Sequence, residues 1–461
     1  MTKRISEKNR RLLHTIFLLA WPAILQEALQ TVVQYIDTAM VGRIGANASA
    51  AVGLTTSMTW LVNSPPFAIG IGVLACIAES IGAGKPEKAR EFGIQALHFS
   101  AVLGVGLGVI TLAVSPFLPG WLGAAQEIRR DAALYFAIIC APMIFRTFSI
   151  ILGSVLRGAG DTKSPMYANL TMNLVNLVCN YFLIYEPQTI SLGSVQLHLP
   201  GAGLGVVGAA LGTAIAYCTG GLLMFLAYYR NPLLCPRGCA LRLQKPLARR
   251  CLRIGIPVAL ERVSACLGQV VFVSLVARLG TLALATHSIA ITAEQAFYIP
   301  GYGMQAAAST MAGNALGAGD QQRFRTVARF IVPITVGLMT ITGGLLFAFP
   351  GFMMSIFSPD PQVIAGGVVV LRIVAVSEPL FGAVIIFEGL FNGIGDTRAP
   401  FVISIFAMWG VRIIGSLVCI RLFHGGLPLL WCCMVADNTA RCLLLGYRYR
   451  KGAWRGRFVH E

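Results

Sequence analysis

The stretch RGAGDTKSP, Arg157 to Pro165, returns as NGIGDTRAP, Asn392 to Pro400, with both glycines, the aspartate, the threonine and the proline in register. The offset is 235 residues, and it recurs far from this loop. Pro22 matches Pro257, in AWPAIL and GIPVAL; Arg43-Ile-Gly45 matches Arg278-Leu-Gly280. Pro65 matches Pro300, and Gly82-Ala-Gly84 matches Gly317-Ala-Gly319. One offset held over so long a stretch without insertion indicates a tandem duplication.

The composition says what was duplicated. Hydrophobic residues make up 56% of the 461 and charged ones only 12%, where a soluble protein needs roughly 25% charged residues to cover its surface. The chain is predicted to be an all-α polytopic membrane protein. Twelve apolar stretches are long enough to cross a hydrocarbon core of about 30 Å as helices. They are 14–41, 51–80, 91–115, 131–155, 166–186, 204–229, 253–277, 287–315, 327–350, 363–391, 401–422 and 427–447. The repeat places six in each half, and an even number returns the chain to the same side. The halves therefore have parallel topology and are related by a pseudo-twofold axis along the membrane normal. The predicted layout is an N-lobe over 1–229, a linker over 230–252 containing Pro232, Pro236 and Pro246, and a C-lobe over 253–461 with a short basic tail. The quoted loop is the turn between spans 4 and 5, and again between spans 10 and 11.

Charge sets the orientation. With the N-terminus inside, 26 of the 36 Lys and Arg fall on inner segments and their adjoining span ends, against 5 on outer ones. That asymmetry predicts both termini in the cytoplasm of a plasma (inner) membrane of bacterial type. The net charge of +17 could suggest nucleic acid, but the cations are dispersed over juxtamembrane sites, with no nucleic-acid-binding motif. They set topology and meet anionic lipid heads. The basic run before span 1 resembles the start of a signal peptide, yet Gln26, Glu27, Gln30, Gln34 and Asp37 interrupt the apolar stretch behind it, which is read as a retained helix. Most of the twelve cysteines fall inside apolar spans, where a packing role is expected. Cys235 and Cys239 lie in the linker without histidine partners. GVGLGV at Gly104 to Val109 sits within a span and has no preceding strand, so helix packing explains it better than a dinucleotide. No serine-nucleophile elbow, P-loop or histidine metal spacing appears, and neither catalysis nor a cofactor is expected.

Polar residues inside spans carry the functional reading, because an ionised side chain there costs about 2.5–3.5 kcal/mol on insertion scales and needs a partner or a wet cavity. Gln26, Gln30, Gln34 and Asp37 form one stripe on span 1, within about 80° of each other at 100° per residue. Asn169, Asn173, Asn176 and Asn180 form another on span 5, within about 60°. Two such stripes in one half are expected to face a common cavity, although interhelical hydrogen-bond glue would also use amides. Among neutral oxygens, Asp37 could hold a sodium ion or a proton. In the second half Phe272 stands where Asp37 would recur, and Glu261, Glu294, Glu378 and Glu388 lie within spans, with Arg262, Arg372 and Arg412. Glu261 and Glu294 could attract organic cations or bind a proton. A glutamate within reach of an arginine is as readily a structural ion pair. Asp161 and Asp396, each after Gly-x-Gly, are expected to cap the helices that follow them.

WPAILQEALQTVVQYIDTAMVGRIGA, ESIGAGKPEKARE, LRGAGDTKSP, GIPVALERV, ALGAGDQQRFR and NGIGDTRAP together, over about residues 12–455, resemble the multidrug and toxic compound extrusion family. The resemblance implies two six-helix lobes in a V and export of cationic or amphipathic compounds by alternating access, in antiport with inward protons or sodium. It puts Asp37 at the family's first-helix acidic position, with Asn176, Asn180 and Thr213 completing a cation-coupling set and sodium a candidate at Asp37, Asn176 and Asn180. The substrate cavity would then include Gln30, Gln34, Asn173, Glu261 and Glu294. Position 180 is Asn where many relatives have Asp, and Glu261 lies about one turn before the seventh-helix glutamate of some branches. The expected partners are small organic cations and the bilayer, with no nucleic acid and a monomeric protein. A flippase for lipid-linked oligosaccharides, from the same superfamily, would want an arginine-lined cavity, for which Arg146 and Arg262 are the candidates. A membrane-embedded enzyme is the reading from outside the class.

Overall fold

The repeated turns have one geometry, and it follows from their glycines. The structure is a computed structural model describing residues 2–192, 195–236, 242–423 and 425–458. Gly160 and Gly395 adopt φ of 85° and 72°, a left-handed conformation that glycine takes without steric penalty. This closes the preceding helix: the Asp161 N–H donates to Leu156 O and the Asp396 N–H to Phe391 O, both at 2.9 Å. The same closure occurs at Gly84 and Gly319, with Lys85 donating to Ser80 O and Asp320 to Ala315 O. Each half punctuates its helices with the same chemistry at the same register.

The chain is a multi-pass membrane protein. In the first half the helices are α1 (Thr2–Gly42), α2 (Ala46–Gly82), α3 (Pro86–Val114), a short α4 (Leu118–Trp121), α5 (Gln126–Cys140), α6 (Met143–Gly158), α7 (Lys163–Ile184) and α8 (Gly205–Arg230). The second half has α9 (Lys245–Ala277), α10 (Thr281–Gln295), α11 (Ile299–Gly317), α12 (Gln321–Ala348), a short α13 (Pro350–Phe357), α14 (Pro361–Ala375), α15 (Glu378–Gly393) and α16 (Arg398–Ile405). It continues through a π-helical stretch (Phe406–Ile413) into α17 (Ile414–Phe423) and α18 (Leu427–Lys451) and ends in a 3₁₀ turn (Ala453–Phe458). Residues 237–241 of the expected linker, Cys239 among them, lie outside the described residues.

Three expected spans are two helices each. Span 4 is α5 and α6, span 10 is α14 and α15, and both pairs bend by 52°. Span 8 is α10 and α11, interrupted just before Pro300. Among the described residues, eight helices, or ten with the bent pairs counted as single spans, are long and apolar enough to cross a membrane by themselves. The remaining expected spans, α7 and α10–α11, carry the asparagines, His287 and Glu294, and their polar cargo lowers their hydropathy. An antiparallel hairpin, β1 (Gln188–Leu192) with β2 (Val195–Leu199), adds strands where helices alone were expected. Its segments TISL and VQLHL alternate apolar and polar residues, the period of a strand.

Packing divides the chain into two compact units: residues 1–27, 74–86 and 250–461, and residues 28–73 and 87–249. The division passes through α1 after Glu27 and through α2 after Val73. In the unit that contains the C-terminal half, a buried core of Phe324, Ile331, Val384, Phe391, Leu445 and Trp454 gathers α11, α12, α15 and α18. Small residues set the approach there. A Cβ on Gly82 would strike the Asn314 backbone, and one on Gly317 the Glu79 backbone, two contacts related by the repeat offset.

Candidate functional site

In the unit of residues 28–73 and 87–249, α8 lies against α7 because glycines on its face admit the neighbouring backbone. A Cβ on Gly208 would strike Leu183, and one on Gly212 the Asn180 side chain. The close approach holds Asn180 at 2% exposure and brings Thr213 beside Asn176. Asn180 Nδ2 donates to Asp37 Oδ1 at 2.9 Å, so α1 joins α7 at the expected carboxylate. Its own Oδ1 is buried and accepts no hydrogen bond.

The Asn176 amide can be placed either way round, since its oxygen and nitrogen exchange positions on a half-turn. In one its nitrogen donates to Thr213 Oγ1 at 3.3 Å and its oxygen accepts from Asn180 Nδ2 at 3.5 Å. In the other the nitrogen donates to both Asp37 oxygens, at 2.8 and 3.0 Å. The second is favoured while the carboxylate is ionised, because the first turns an amide oxygen toward carboxylate oxygens. Thr213 Oγ1 donates to Ala209 O at 3.0 Å and keeps lone pairs for an incoming group. Asp37, Asn176, Asn180 and Thr213 therefore form one constellation, drawn from three helices.

No basic side chain pairs with Asp37 among the described residues. The set offers carboxylate, amide and hydroxyl oxygens, donors suited to a hard cation such as sodium. Asn173 is buried one turn before Asn176 on the same helix. Gln30 is half-buried and Gln34 exposed, and no hydrogen bond joins either to Asp37. Asn169 instead closes on its own helix, donating to Pro165 O at 2.8 Å.

The other unit carries its charges differently. Glu261 accepts from Ser404 Oγ at 2.7 Å. Glu294, on α10, is buried, and no hydrogen bond joins it to Glu261. Glu378, at the start of α15, is 1% exposed with neither carboxylate oxygen hydrogen-bonded. The strongest polar feature was missed by the sequence reading. Asp437, wholly buried on α18, is gripped by Arg412 at 2.7 Å and by Arg441 at 2.9 Å. The i,i+4 spacing of Asp437 and Arg441 inside an apolar span was the available signal. Arg412 comes from the π-helical stretch, a wound-out geometry that often marks special positions.

The two expected caps part ways. Asp161 accepts from the Ser164 backbone N–H at 3.0 Å and from Ser164 Oγ at 2.6 Å, as a cap should. Asp396 does not cap. It is paired with Arg448 at 2.7 Å and Arg457 at 3.5 Å, because the position matching Ser164 is Ala399 and the basic end of α18 lies close by.

Comparison with known proteins agrees with this architecture. A "probable multidrug resistance protein NorM" of Thermotoga maritima is 26% identical over 445 residues, covering 96% of this chain and 93% of the relative. The "multidrug resistance protein MdtK" of Edwardsiella ictaluri is 26% identical over 415 residues, covering 87% and 86%. A solved structure described as "MATE in complex with MaL6" superposes with a TM-score of 0.87 at 22% identity, covering 96% of this chain and 97% of the other. That likeness carries the fold. The MatE family model matches twice, over residues 22–182 and 257–418, starting at the repeated pair Pro22 and Pro257. With the family model covering most of its length and each half matching separately, this chain belongs to the MatE family.

Proposed function

We propose that the chain is a secondary active multidrug efflux transporter and not an enzyme. It exports cationic or amphipathic organic compounds in antiport with inward protons or sodium, by alternating access, from a bacterial inner membrane with both termini in the cytoplasm. The observation that carries the reading is Asp37, a half-buried carboxylate whose partners are neutral amides. Family membership and relatives named as multidrug resistance proteins support the substrate class.

A carboxylate held off water by neutral donors lacks positive charge, and a proton or sodium ion supplies it. When the cation arrives, the Asn176 amide can turn its oxygen inward. The unpartnered Asn180 Oδ1 and the Thr213 hydroxyl add oxygens of the same kind. Neutralising Asp37 removes the reason for α1 and α7 to hold their cation-free arrangement, and a second ligand that prefers that arrangement is released. Pro22 on α1 lacks the N–H of a helix bond and offers a place to bend.

Efflux of a cationic dye from proteoliposomes, under sodium and pH gradients imposed separately, tests the reading. One gradient should drive efflux and the other should not. Efflux indifferent to both would refute antiport.

A further inference from the structure

A cavity of about 430 Å³ opens between the start of α12 and the C-terminal end of α18, lined by Arg325, Arg329, Arg450, Arg455, Tyr449 and Trp454. It lies far in sequence from every residue of the Asp37 constellation and plays no part in the antiport reading. All four arginines are exposed, and none pairs with a carboxylate among the described residues. Three described acids of the same half are engaged elsewhere. Asp396 is held by Arg448 and Arg457, Asp437 by Arg412 and Arg441, and Asp320 accepts the Arg323 backbone N–H at 2.8 Å.

The cluster is built, not a loose tail. Gly452, at φ 74°, turns the chain out of α18, and Trp454 then docks at 2% exposure. Its ring packs 4.8 Å from Phe324, and its Nε1 donates to Tyr449 O at 3.0 Å. Arg325 and Arg455 lie over the indole at 5.4 and 5.9 Å, contacts that orient a guanidinium while leaving its N–H groups free. Arg325 and Arg329 sit one turn apart on one helix face, a like-charge pair that repels unless an anion bridges it. Four guanidiniums around one space match the planar, bidentate bonding of phosphate oxygens.

The place of the cavity selects the carrier of that phosphate. α12 turns apolar directly after Arg329, so the cavity opens where water meets hydrocarbon. Tyr447 and Tyr449, near the end of α18, are of a residue type that favours that boundary. From Arg450, the exposed side chains of Tyr447 and Leu443 continue along one face of α18 toward the apolar part of the helix, at 63% and 67% exposure. An anion with acyl chains would use both the basic end and this stripe. The geometry points to a site for the phosphate headgroup of an acidic phospholipid, held by Arg325, Arg329, Arg450 and Arg455 and closed by the docked C-terminal turn. The leaflet follows from the charge-based orientation; the binding does not depend on it.

Titration of the purified full chain in neutral detergent with phosphatidylglycerol, and separately with phosphatidylcholine, tests the site, read by tryptophan fluorescence and thermal midpoint. Wild type should bind phosphatidylglycerol at least tenfold tighter than phosphatidylcholine and gain thermal stability from it. Arg325→Gln/Arg329→Gln should lose the preference. Arg450→Gln/Arg455→Gln, from the opposite wall, should reproduce that loss and guards against a folding defect in the first pair. Lys85→Gln/Arg249→Gln removes the same charge from other inner positions and should keep the preference. An unchanged preference in both site variants, or an equal loss in the control, overturns the site. Sodium pyrophosphate at millimolar concentration should not displace the lipid. Displacement, with binding as tight as that of phosphatidylglycerol, would assign the cavity to a soluble phosphate anion and overturn the lipid assignment.

Discussion

Asp37 and Phe272 occupy the same register of the two repeats, and their surroundings have diverged. Around Asp37 the structure gathers amides: Asn180 donates at 2.9 Å, and Asn176 lies within reach of both carboxylate oxygens. Phe272 is fully buried, with the Arg412 guanidinium 5.8 Å from its ring centre and the His287 ring tilted against it at 5.5 Å. The positions matching Asn176 and Asn180 are Val411 and Gly415. The second half thus has an apolar plug where the first has a carboxylate, and its strongest ion cluster, Arg412–Asp437–Arg441, includes an acid outside that register. The turns, which need glycine at fixed backbone positions, kept their sequence in both copies. Interior polar sites need only compatible neighbours, and they were free to specialise. A one-sided carboxylate suits a coupling site, and a carboxylate clamped by two arginines suits a structural one.

The comparison makes opposite demands on the two acids. Asp437→Asn leaves Arg412 and Arg441 buried without their counter-charge and should destabilise the protein by about 3–5 kcal/mol. Thermal unfolding in detergent would read this as a large fall in midpoint. A midpoint within a degree or two of wild type would return the cluster to the functional candidates. A smaller effect tests the amide cage without altering charge. Gly212→Ala puts a methyl group into the Asn180 side chain and should cost about 1–3 kcal/mol as an overpacking change. It should also weaken cation dependence in efflux assays, because Asn180 must leave Asp37. Full cation dependence with Asn180 displaced would mean that the amide plays no part.

The smallest pair of effects concerns the repeated loops. Ser164→Ala removes one bond to Asp161, and equilibrium melting should show a loss of about 0.5–1 kcal/mol. Ala399→Ser adds a hydroxyl beside an aspartate already paired with two arginines and should stay within about 0.5 kcal/mol of wild type. Equal effects at the two sites would mean that the loops still perform the same task.

The duplication, the spans and the Asp37 set were legible in the sequence for one reason: each depends on spacing along a single helix or on a glycine the backbone requires. Asn176, Asn180 and Asp37 lie on faces that periodicity defines, and the family resemblance added Thr213. What could not be read depends on partners from distant helices. Asp396 shares with Asp161 both preceding glycines and the following threonine, and only the approach of Arg448 and Arg457 from the C-terminal end makes it an ion pair. Asp437 sits mid-span with Arg441 one turn on, but its second partner, Arg412, comes from another stretch of chain and could not be read from one helix. The break between α10 and α11 was hidden because its counterpart in the first half, α2, runs unbroken through Pro65 and Pro66. The same repeated proline lies within a helix in one copy and starts a helix in the other.

That coupling resides at Asp37 and not in the second half is tested most directly by gradient-driven dye efflux from proteoliposomes containing Asp37→Asn. The substitution keeps the shape of the neutralised side chain and removes its response to a cation. Efflux is expected to fall to background while the protein still inserts and still binds the dye with an affinity that no longer varies with pH or sodium. Efflux at the wild-type rate under the same gradient would contradict this and transfer the coupling role to Glu261 or Glu294.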